Sequence, residues 1–257
     1  MIKMDEIVSK IYNAHETKQP IEFIRHDYKL DEETAYFVQE ELIKRKIDLH
    51  NAEIAGYKIS MTSAETQAIA KTDEPAYGTL LSTHIQYSGD TIELSSLFDP
   101  LIEPEIMFIL QGDLSPNASE EEIIRNSKVC AGIEIPDARY IDWFPNFSLA
   151  DLLCDNTATG LVVLSDPIEP LTFNQFEDIE MELFHDGEKI SEGLSSAVLG
   201  NPVSSVAWLS GKLSKKDIVL RKGMVISSGT FISPLNAEEG TYKVTYSSIG
   251  EVEITFV

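Results

Sequence analysis

From residue 54 onward, the sequence consists of short segments rich in β-branched and aromatic residues, separated by Gly, Pro, Asn and Asp. Several alternate between apolar and polar residues, as 241–246 (TYKVTY) does, which is the pattern of a half-buried strand. Asp186 and Gly187 lie between two such segments and predict a hairpin turn. We therefore expect a β-rich body, with strands that include residues 106–110, 160–164, 180–184, 225–228, 242–246 and 251–257.

The preceding part of the chain has the apolar spacing of helices. Apolar residues from Met4 to Ala14 predict a first helix that stops before Pro20, and Asp31 is the predicted N-cap of a second. Inside the β-rich region, two more helices are predicted at residues 119–127 and 202–213. In the first of these, Ser119 and Glu122 have the spacing of a capping box.

These patterns predict an α+β protein without internal repeats or long linkers. We expect a small helical N-terminal subdomain at residues 1–52 and a β-rich body at residues 53–257, together forming one unit.

The charge balance excludes some partners. With 20 Lys and Arg against 43 Asp and Glu, the net charge is −23, which repels nucleic acid and anionic membrane surfaces. The two cysteines, Cys130 and Cys154, form neither a disulfide framework nor a CxxC motif. Residues 1–6 lack the apolar core of a signal peptide, and no apolar run approaches the ~18 residues of a membrane span. We expect a cytoplasmic protein with reduced thiols.

Several catalytic signatures are missing from the sequence. There is no GxGxxG after a strand, no phosphate-binding loop and no complete nucleophile elbow at residues 193–197. The five histidines do not have the spacing of paired metal ligands. These absences disfavour a nucleotide enzyme and a zinc hydrolase.

Three glutamates stand out because they lie in apolar, strand-like runs. Glu103 and Glu105 are two residues apart, so a strand projects both carboxylates from one face, and Pro104 between them indicates a strand end or edge. Glu134 lies in a second run. An all-carboxylate set without His or Cys suits Mg²⁺ or Mn²⁺. The alternative is a solvated strand face for the first two and a loop for the third.

Lys58 is a single cation inside another strand-like segment. Its side chain either extends from an edge strand to solvent or lies beside the acidic site, where it binds a carboxylate or transfers a proton.

Taken together, these segments resemble the 2-oxopent-4-enoate (2-hydroxypentadienoate) hydratases. With the 4-oxalocrotonate decarboxylases, these enzymes belong to the fumarylacetoacetate hydrolase superfamily. The resemblance covers nearly the whole chain in order. It rests on residues 35–39 (AYFVQ), 56–62 (GYKISMT), 74–80 (EPAYGTL), 102–106 (IEPEI), 133–139 (IEIPDAR), 141–143 (IDW), 155–158 (DNTA), Gly193, 198–202 (VLGNP), 207–209 (AWL) and 249–252 (IGEV).

The resemblance implies a mixed β-roll or β-sandwich body of the fumarylacetoacetate hydrolase type. It also implies that the three glutamates bind Mg²⁺ or Mn²⁺ and that Lys58 is an active-site lysine. Two positions depart from the family pattern: Ala76 replaces an acid that the hydratases often have, and Ser60 replaces a glycine.

The implied reaction is hydration of 2-oxopent-4-enoate, in its 2-hydroxypenta-2,4-dienoate form, to 4-hydroxy-2-oxopentanoate. The alternatives are 4-oxalocrotonate (2-oxo-3-hexenedioate) decarboxylation and a non-catalytic partner of such an enzyme. The resemblance also implies a homo-oligomer that can associate with a related hydratase or decarboxylase. Tyr77 and Asp155 are further acid–base candidates, while Ser195 and Ser196 either bind substrate or belong to a loop that caps a helix.

Overall fold

The computed structural model describes residues 4–257, so residues 1–3 of the predicted N-terminal subdomain lie outside it. Within the described range there are six α-helices. They are α1 (Met4–Thr17), α2 (Glu32–His50), α3 (Ala64–Ala70), α4 (Glu120–Arg125), α5 (Leu149–Cys154) and α6 (Pro202–Ser214).

The first two helices form as the apolar spacing predicts. The apolar face of α1 is buried against α2, and Asp31 caps α2 by accepting a hydrogen bond from the backbone N–H of Thr34 at 2.9 Å. Helix α2 also packs on α5 in the body. The main hydrophobic cluster includes side chains from both helices and from the sheets, so the N-terminal helices complete the core of the body.

The predicted capping box of α4 forms only in part. Ser119 Oγ accepts a hydrogen bond from the Glu122 N–H at 3.2 Å, as expected. The Glu122 carboxylate, however, accepts from the Ser115 N–H at 2.7 Å, because the preceding loop folds back over the helix start. The helix is also shorter than predicted, since the next strand already begins at Ser127.

A curled mixed sheet forms one side of the body. Its order is β2 (Ala76–Leu81), β1 (Ile54–Ser60), β10 (Val225–Thr230), β5 (Leu101–Leu110), β6 (Ser127–Ile135), β7 (Leu161–Leu164) and β3 (Ile85–Tyr87), and β11 (Leu235–Asn236) also pairs with β5.

A second sheet packs on the first. Its order is β4 (Thr91–Ile92), β13 (Gly250–Phe256), β12 (Gly240–Tyr246), β8 (Glu180–His185) and β9 (Glu188–Leu194). The predicted Asp186-Gly187 turn joins β8 to β9, and both residues have the positive φ that this turn requires. Burial alternates along β12, which confirms its half-buried strand pattern.

The expectation that Pro104 marks a strand end or edge is wrong. Pro104 lies inside β5, which is flanked by β10 and β6. Its carbonyl accepts from the Phe231 N–H at 3.2 Å, so its nitrogen also faces the side where β10 has ended and β11 has not begun. Proline is tolerated there because the ladder to β6 loses no donor.

Within residues 4–257, no helix combines the length and apolar character needed to cross a membrane.

Candidate metal centre

The register of β5 against β6 brings the three glutamates together. Glu103 lies directly opposite Glu134 in the antiparallel ladder, and Glu105 follows Glu103 on the same face. One carboxylate oxygen from each residue lies within 4.8 Å of the others. The alternative of a solvated strand face and a loop is therefore wrong, because Glu103, Glu105 and Glu134 are 8%, 0% and 1% exposed and all lie in strands.

A bulge in the neighbouring strand β10 holds Glu105. Between Ser227 and Thr230, β10 has one residue more than β5, and the extra length turns Gly229 towards the carboxylate. Glu105 Oε2 accepts hydrogen bonds from Ser227 Oγ and from the Gly229 N–H at 2.8 Å. Glu105 Oε1, in contrast, has no hydrogen-bond partner among the described residues.

Burial and mutual repulsion make these carboxylates costly as anions. Burial first, and Glu134 second, raise the pKa of Glu103 to about 8. The same two causes hold the pKa of Glu105 well above its usual range, although the hydrogen bond from Ser227 lowers it. Like charges this close require a compensating cation or a proton.

Lys58 supplies one compensating charge. It is 1% exposed, and its Nζ lies 2.9 Å from Glu134 Oε1. In the sheet order, β1 and β6 are three strand steps apart, which would be about 14 Å in a flat sheet. The short contact therefore depends on the curl of the sheet, which turns both side chains towards one centre.

The remaining donor atoms fit a divalent cation. Glu105 Oε1 and Glu134 Oε2 are buried and have neither a hydrogen bond nor an ion pair within the described part of the chain, and Glu134 Oε1 contacts only the Lys58 ammonium group. Buried oxygens of this kind are normally satisfied, so a partner is expected. An all-oxygen carboxylate set is the donor chemistry of Mg²⁺ and Mn²⁺.

A cavity opens beside this cluster. Lys58, Ser60, Glu103 and Thr157 contribute polar atoms to its lining. Most of its other walls are apolar, and they include Met61, Ile69, Trp143, Phe144, Phe147 and Leu152.

Two of the sequence-predicted acid–base candidates lie away from the cavity. Tyr77 pairs with Ile59 on β1, so its side chain is on the face opposite Lys58, where its ring stacks on Tyr36. Burial raises its pKa. Asp155 is fully buried, and its Oδ1 accepts from Arg139 Nε at 2.6 Å.

Nor does the structure bring the two serines to the cavity. Ser195 and Ser196 lie on the 3₁₀ helix Ser195–Ala197. Ser195 Oγ accepts from the Ile179 N–H at 2.9 Å, and Ser196 faces a separate surface cavity. Both therefore occupy the connection from β9 to α6.

Other residues of the site were not predicted from the sequence. Ser227 and Gly229 orient Glu105, although only the bulge reveals this, and the sequence shows merely a strand ending in a glycine. The aromatic wall of Trp143, Phe144 and Phe147 comes from the loop after β6. The clustering of these aromatic residues in the sequence could have predicted an apolar wall here.

Known proteins are similar to this chain in sequence and in fold. No family model matches the chain. A 2-keto-4-pentenoate hydratase of Burkholderia vietnamiensis is 32% identical over 88% of this chain and 86% of its own length. Another from Paraburkholderia xenovorans is 30% identical over 98% and 94%.

Among solved structures, 4-oxalocrotonate decarboxylase from Pseudomonas putida G7, complexed with magnesium and adipate, superposes with a TM-score of 0.91. It is 24% identical and covers 100% of this chain and 99% of its own. Fumarylpyruvate hydrolase from Pseudomonas aeruginosa, in complex with Mn²⁺ and pyruvate, has a TM-score of 0.57 at 14% identity, covering 78% and 88%.

The fold is therefore that of the fumarylacetoacetate hydrolase superfamily, with a buried carboxylate cluster between its central strands. By sequence, the chain belongs to the 2-keto-4-pentenoate hydratase family. This confirms the predicted resemblance and the predicted fold class.

Proposed function

We propose that the protein is a metal-dependent hydratase that adds water to 2-oxopent-4-enoate, as 2-hydroxypenta-2,4-dienoate, and forms 4-hydroxy-2-oxopentanoate. The observation that carries this proposal is the meeting of three buried carboxylates and Lys58 beside a largely apolar cavity. Glu103, Glu105 and Glu134 would hold Mg²⁺ or Mn²⁺, which when bound supplies Lewis acidity towards the 2-oxygen and 1-carboxylate of the substrate.

Lys58 is the group that we propose for proton transfer. In ketonisation, the 2-hydroxyl loses its proton and C5 gains one; water then adds its oxygen at C4, and C3 takes the proton that water loses. Lys58 Nζ lies at the carboxylate cluster and lines the cavity. Ala76 lies on the same face of the sheet as Lys58, but it has no carboxyl group to transfer a proton. We therefore assign these transfers to Lys58.

The lining of the cavity favours the hydratase over the decarboxylase. A decarboxylase substrate such as 2-oxo-3-hexenedioate has a second carboxylate at its far end. Among the described residues that line this cavity, Lys58 is the only cation, and it already pairs with Glu134. The aromatic wall suits an uncharged tail, because an unpaired carboxylate against it would be desolvated without compensation.

The metal site is tested by titrating Mn²⁺ into the wild type, Glu105→Gln and the exposed control Glu121→Gln. We expect Glu105→Gln to weaken Mn²⁺ binding by more than about tenfold, since even partners one step removed from a metal contribute this much. Glu121→Gln should bind as the wild type does. Equal affinity in all three proteins would exclude the proposed ligand set.

The reaction is tested by supplying 2-hydroxypenta-2,4-dienoate and 2-oxohex-3-enedioate separately, with CO₂ detection. We expect consumption of the first without CO₂. Release of CO₂ from the second alone would make the protein a decarboxylase. Turnover of neither, with Mn²⁺ binding intact, would support the non-catalytic partner instead.

Lys58→Met separates proton transfer from metal binding. We expect turnover to fall between about 10²- and 10⁴-fold, the usual contribution of a positioned acid or base. Mn²⁺ affinity should stay at or above that of the wild type, because the substitution removes a cation that pairs with Glu134. Unchanged turnover would assign the proton transfer to another group.

We also propose a cytoplasmic homo-oligomer that can associate with a related hydratase or decarboxylase. This proposal rests on the family resemblance, because the most exposed large apolar side chains, Leu49, Tyr87 and Leu194, lie on three separate elements. A monomer in sedimentation analysis would contradict the oligomer.

A further inference from the structure

A second cavity, of about 750 Å³, lies at the C-terminal ends of α1 and α2. The 3₁₀ helix Ser82–His84 and the loops after β6 and before β7 complete its walls. Although the chain has a net charge of −23, six basic residues line this cavity, and they include three of the five histidines. We call it the cationic cavity, and its basic residues are His15, Lys18, Lys46, His50, His84 and Arg139.

The cationic cavity is separate from the metal centre, because the two cavities have no lining residue in common. A thin wall of backbone lies between them. Thr157 and Ala158 face the metal-centre cavity, whereas Thr159 and Gly160 face the cationic cavity. Asp155, just before this wall, is fixed by its ion pair with Arg139.

Lys46 is the observation that points to a ligand. It is only 3% exposed, yet within the described part of the chain it has no ion pair and no hydrogen bond. Buried lysines are rare unless paired, since desolvating an ammonium group is costly. Burial first, and Arg139 second, lower its pKa to about 7. A negative partner in the cavity would remove this cost.

Attraction to the carbonyl groups at a helix C-terminus does not explain why Lys46 is buried without a partner. Basic side chains near a helix C-terminus often interact with its free carbonyl groups, and His15 and His50 are in such positions. Lys46 lies a full turn before the end of α2, and helical side chains point towards the N-terminus. Its ammonium group is therefore directed away from those carbonyls.

His84 adds a directed donor. Its Nδ1 accepts a hydrogen bond from the Leu81 N–H at 3.2 Å, so in the neutral ring the proton is on Nε2. Arg139 is fixed in place, because its guanidinium group donates to Asp155, whose carboxylate offsets its charge, and to backbone carbonyls.

The acidic groups around the cavity are already engaged or exposed. Both Asp137 oxygens accept backbone N–H groups of Phe98 and Asp99. Glu16 Oε1 lies 3.3 Å from His15 Nδ1 and 3.1 Å from His50 Nε2, and Glu93 is exposed. Lys46 is thus left without an acidic partner in contact: Asp155 and Glu16 attract its ammonium group only from a distance, and Asp155 is already paired with Arg139.

We propose that the cationic cavity binds a small, doubly charged oxyanion, a phosphate or a short dicarboxylate, with the Lys46 ammonium and His84 Nε2 as its main contacts. Phosphate and dicarboxylates share the chemistry that this site recognises: two negative charges and several acceptor oxygens. Inorganic phosphate and succinate are the probes that distinguish the two sources.

Isothermal titration of each probe near neutral pH tests the proposal, using the wild type, Lys46→Met and Lys44→Met. Lys44 is exposed on the same helix and pairs with Glu41, so its substitution makes the same charge change outside the cavity. We expect Lys46→Met to weaken binding by at least about tenfold and Lys44→Met by less than about twofold. His84→Asn should also weaken it.

Two further measurements distinguish loss of anion binding from unfolding of the variant and from binding at the metal centre. Without probe, Lys46→Met should melt no lower than the wild type, because it removes an unpaired buried charge. With probe, the wild type should be stabilised and Lys46→Met should not. Glu105→Gln should bind the probes as the wild type does. Binding that Glu105→Gln loses and Lys46→Met keeps would assign the anion to the metal centre and overturn the proposal. Absence of binding by the wild type to either probe would also overturn it.

Discussion

Ser227 is a residue that orients a proposed metal ligand without being one of the ligands itself. Its hydroxyl donates to Glu105 Oε2 and leaves Oε1 free. We expect Ser227→Ala to lower Mn²⁺ affinity by about 10- to 100-fold, since partners that orient a metal ligand typically contribute this much. Titration with Mn²⁺ measures the effect.

The adjacent Ser228 provides a matched control for this substitution. It is also fully buried, but its hydroxyl has no partner among the described residues. Ser228→Ala should leave Mn²⁺ affinity unchanged. Equal losses in the two variants would mean that packing, and not the hydrogen bond to Glu105, controls the site.

At this scale, the sequence indicates some of the side chains that the structure brings together, but it does not predict where others lie. Glu103, Glu105 and Lys58 were recognisable because a charged residue inside an apolar strand is unusual whatever its neighbours are. Tyr77 and Asp155 belong to motifs that flank the site. The strand face on which Tyr77 lies depends on the strand register, and the pairing of Asp155 depends on Arg139, which is distant in sequence. Sequence spacing predicts neither the register nor the pairing.

At the scale of elements, the bulge in β10 makes Gly229 hard to replace. Its φ is +117°, and a Cβ there would lie 2.4 Å from Thr62 Oγ1. We expect Gly229→Ala to lower the free energy of unfolding by about 3 kcal/mol or more. It should also weaken Mn²⁺ binding, because the Gly229 N–H donates to Glu105. Urea denaturation and Mn²⁺ titration measure these effects.

A substitution at Gly223 is the control for Gly229→Ala, because it introduces backbone strain without a clash. Gly223 also has a positive φ, +88°, but a Cβ at this position would have no neighbouring atom within 4 Å. Gly223→Ala should cost only about 1–2 kcal/mol, the usual penalty for this conformation. A cost as large as that of Gly229→Ala would show that contact with Thr62 is unimportant.

Elements with a strong local pattern were predictable, and the others were not. Helices α1, α2 and α6 and the β8–β9 hairpin follow from apolar spacing, caps and turn residues. The short helices α3 and α5 have too few residues for a clear period. The interior position of Pro104 follows from where β10 ends, which is a long-range property of the sheet.

For the whole molecule, the pH dependence of stability reports on the cationic cavity. Burial first, then Lys46 and Arg139, lower the pKa of His84 from 6.5 to about 3. At intermediate pH the unfolded chain therefore binds a proton at this position that the folded chain does not bind. Stability from His84 is present above about pH 6.5 and is lost as the pH falls towards 3.

His84→Asn isolates this contribution, because the Asn side chain can still accept the Leu81 N–H. We expect the stability of the wild type relative to His84→Asn to decrease between near-neutral and mildly acidic pH, as measured by urea denaturation. A pH-independent difference for His84→Asn would contradict its burial as a neutral ring.

The backbone between Asp155 and Gly160 has a consequence for both cavities. It forms one wall of each, and the Asp155–Arg139 ion pair anchors it. Two sites that share a wall are thermodynamically linked whenever occupancy of one shifts that wall. By reciprocity, the factor by which an oxyanion changes Mn²⁺ affinity must equal the factor by which Mn²⁺ changes oxyanion affinity. Measuring either one gives the coupling free energy across the wall.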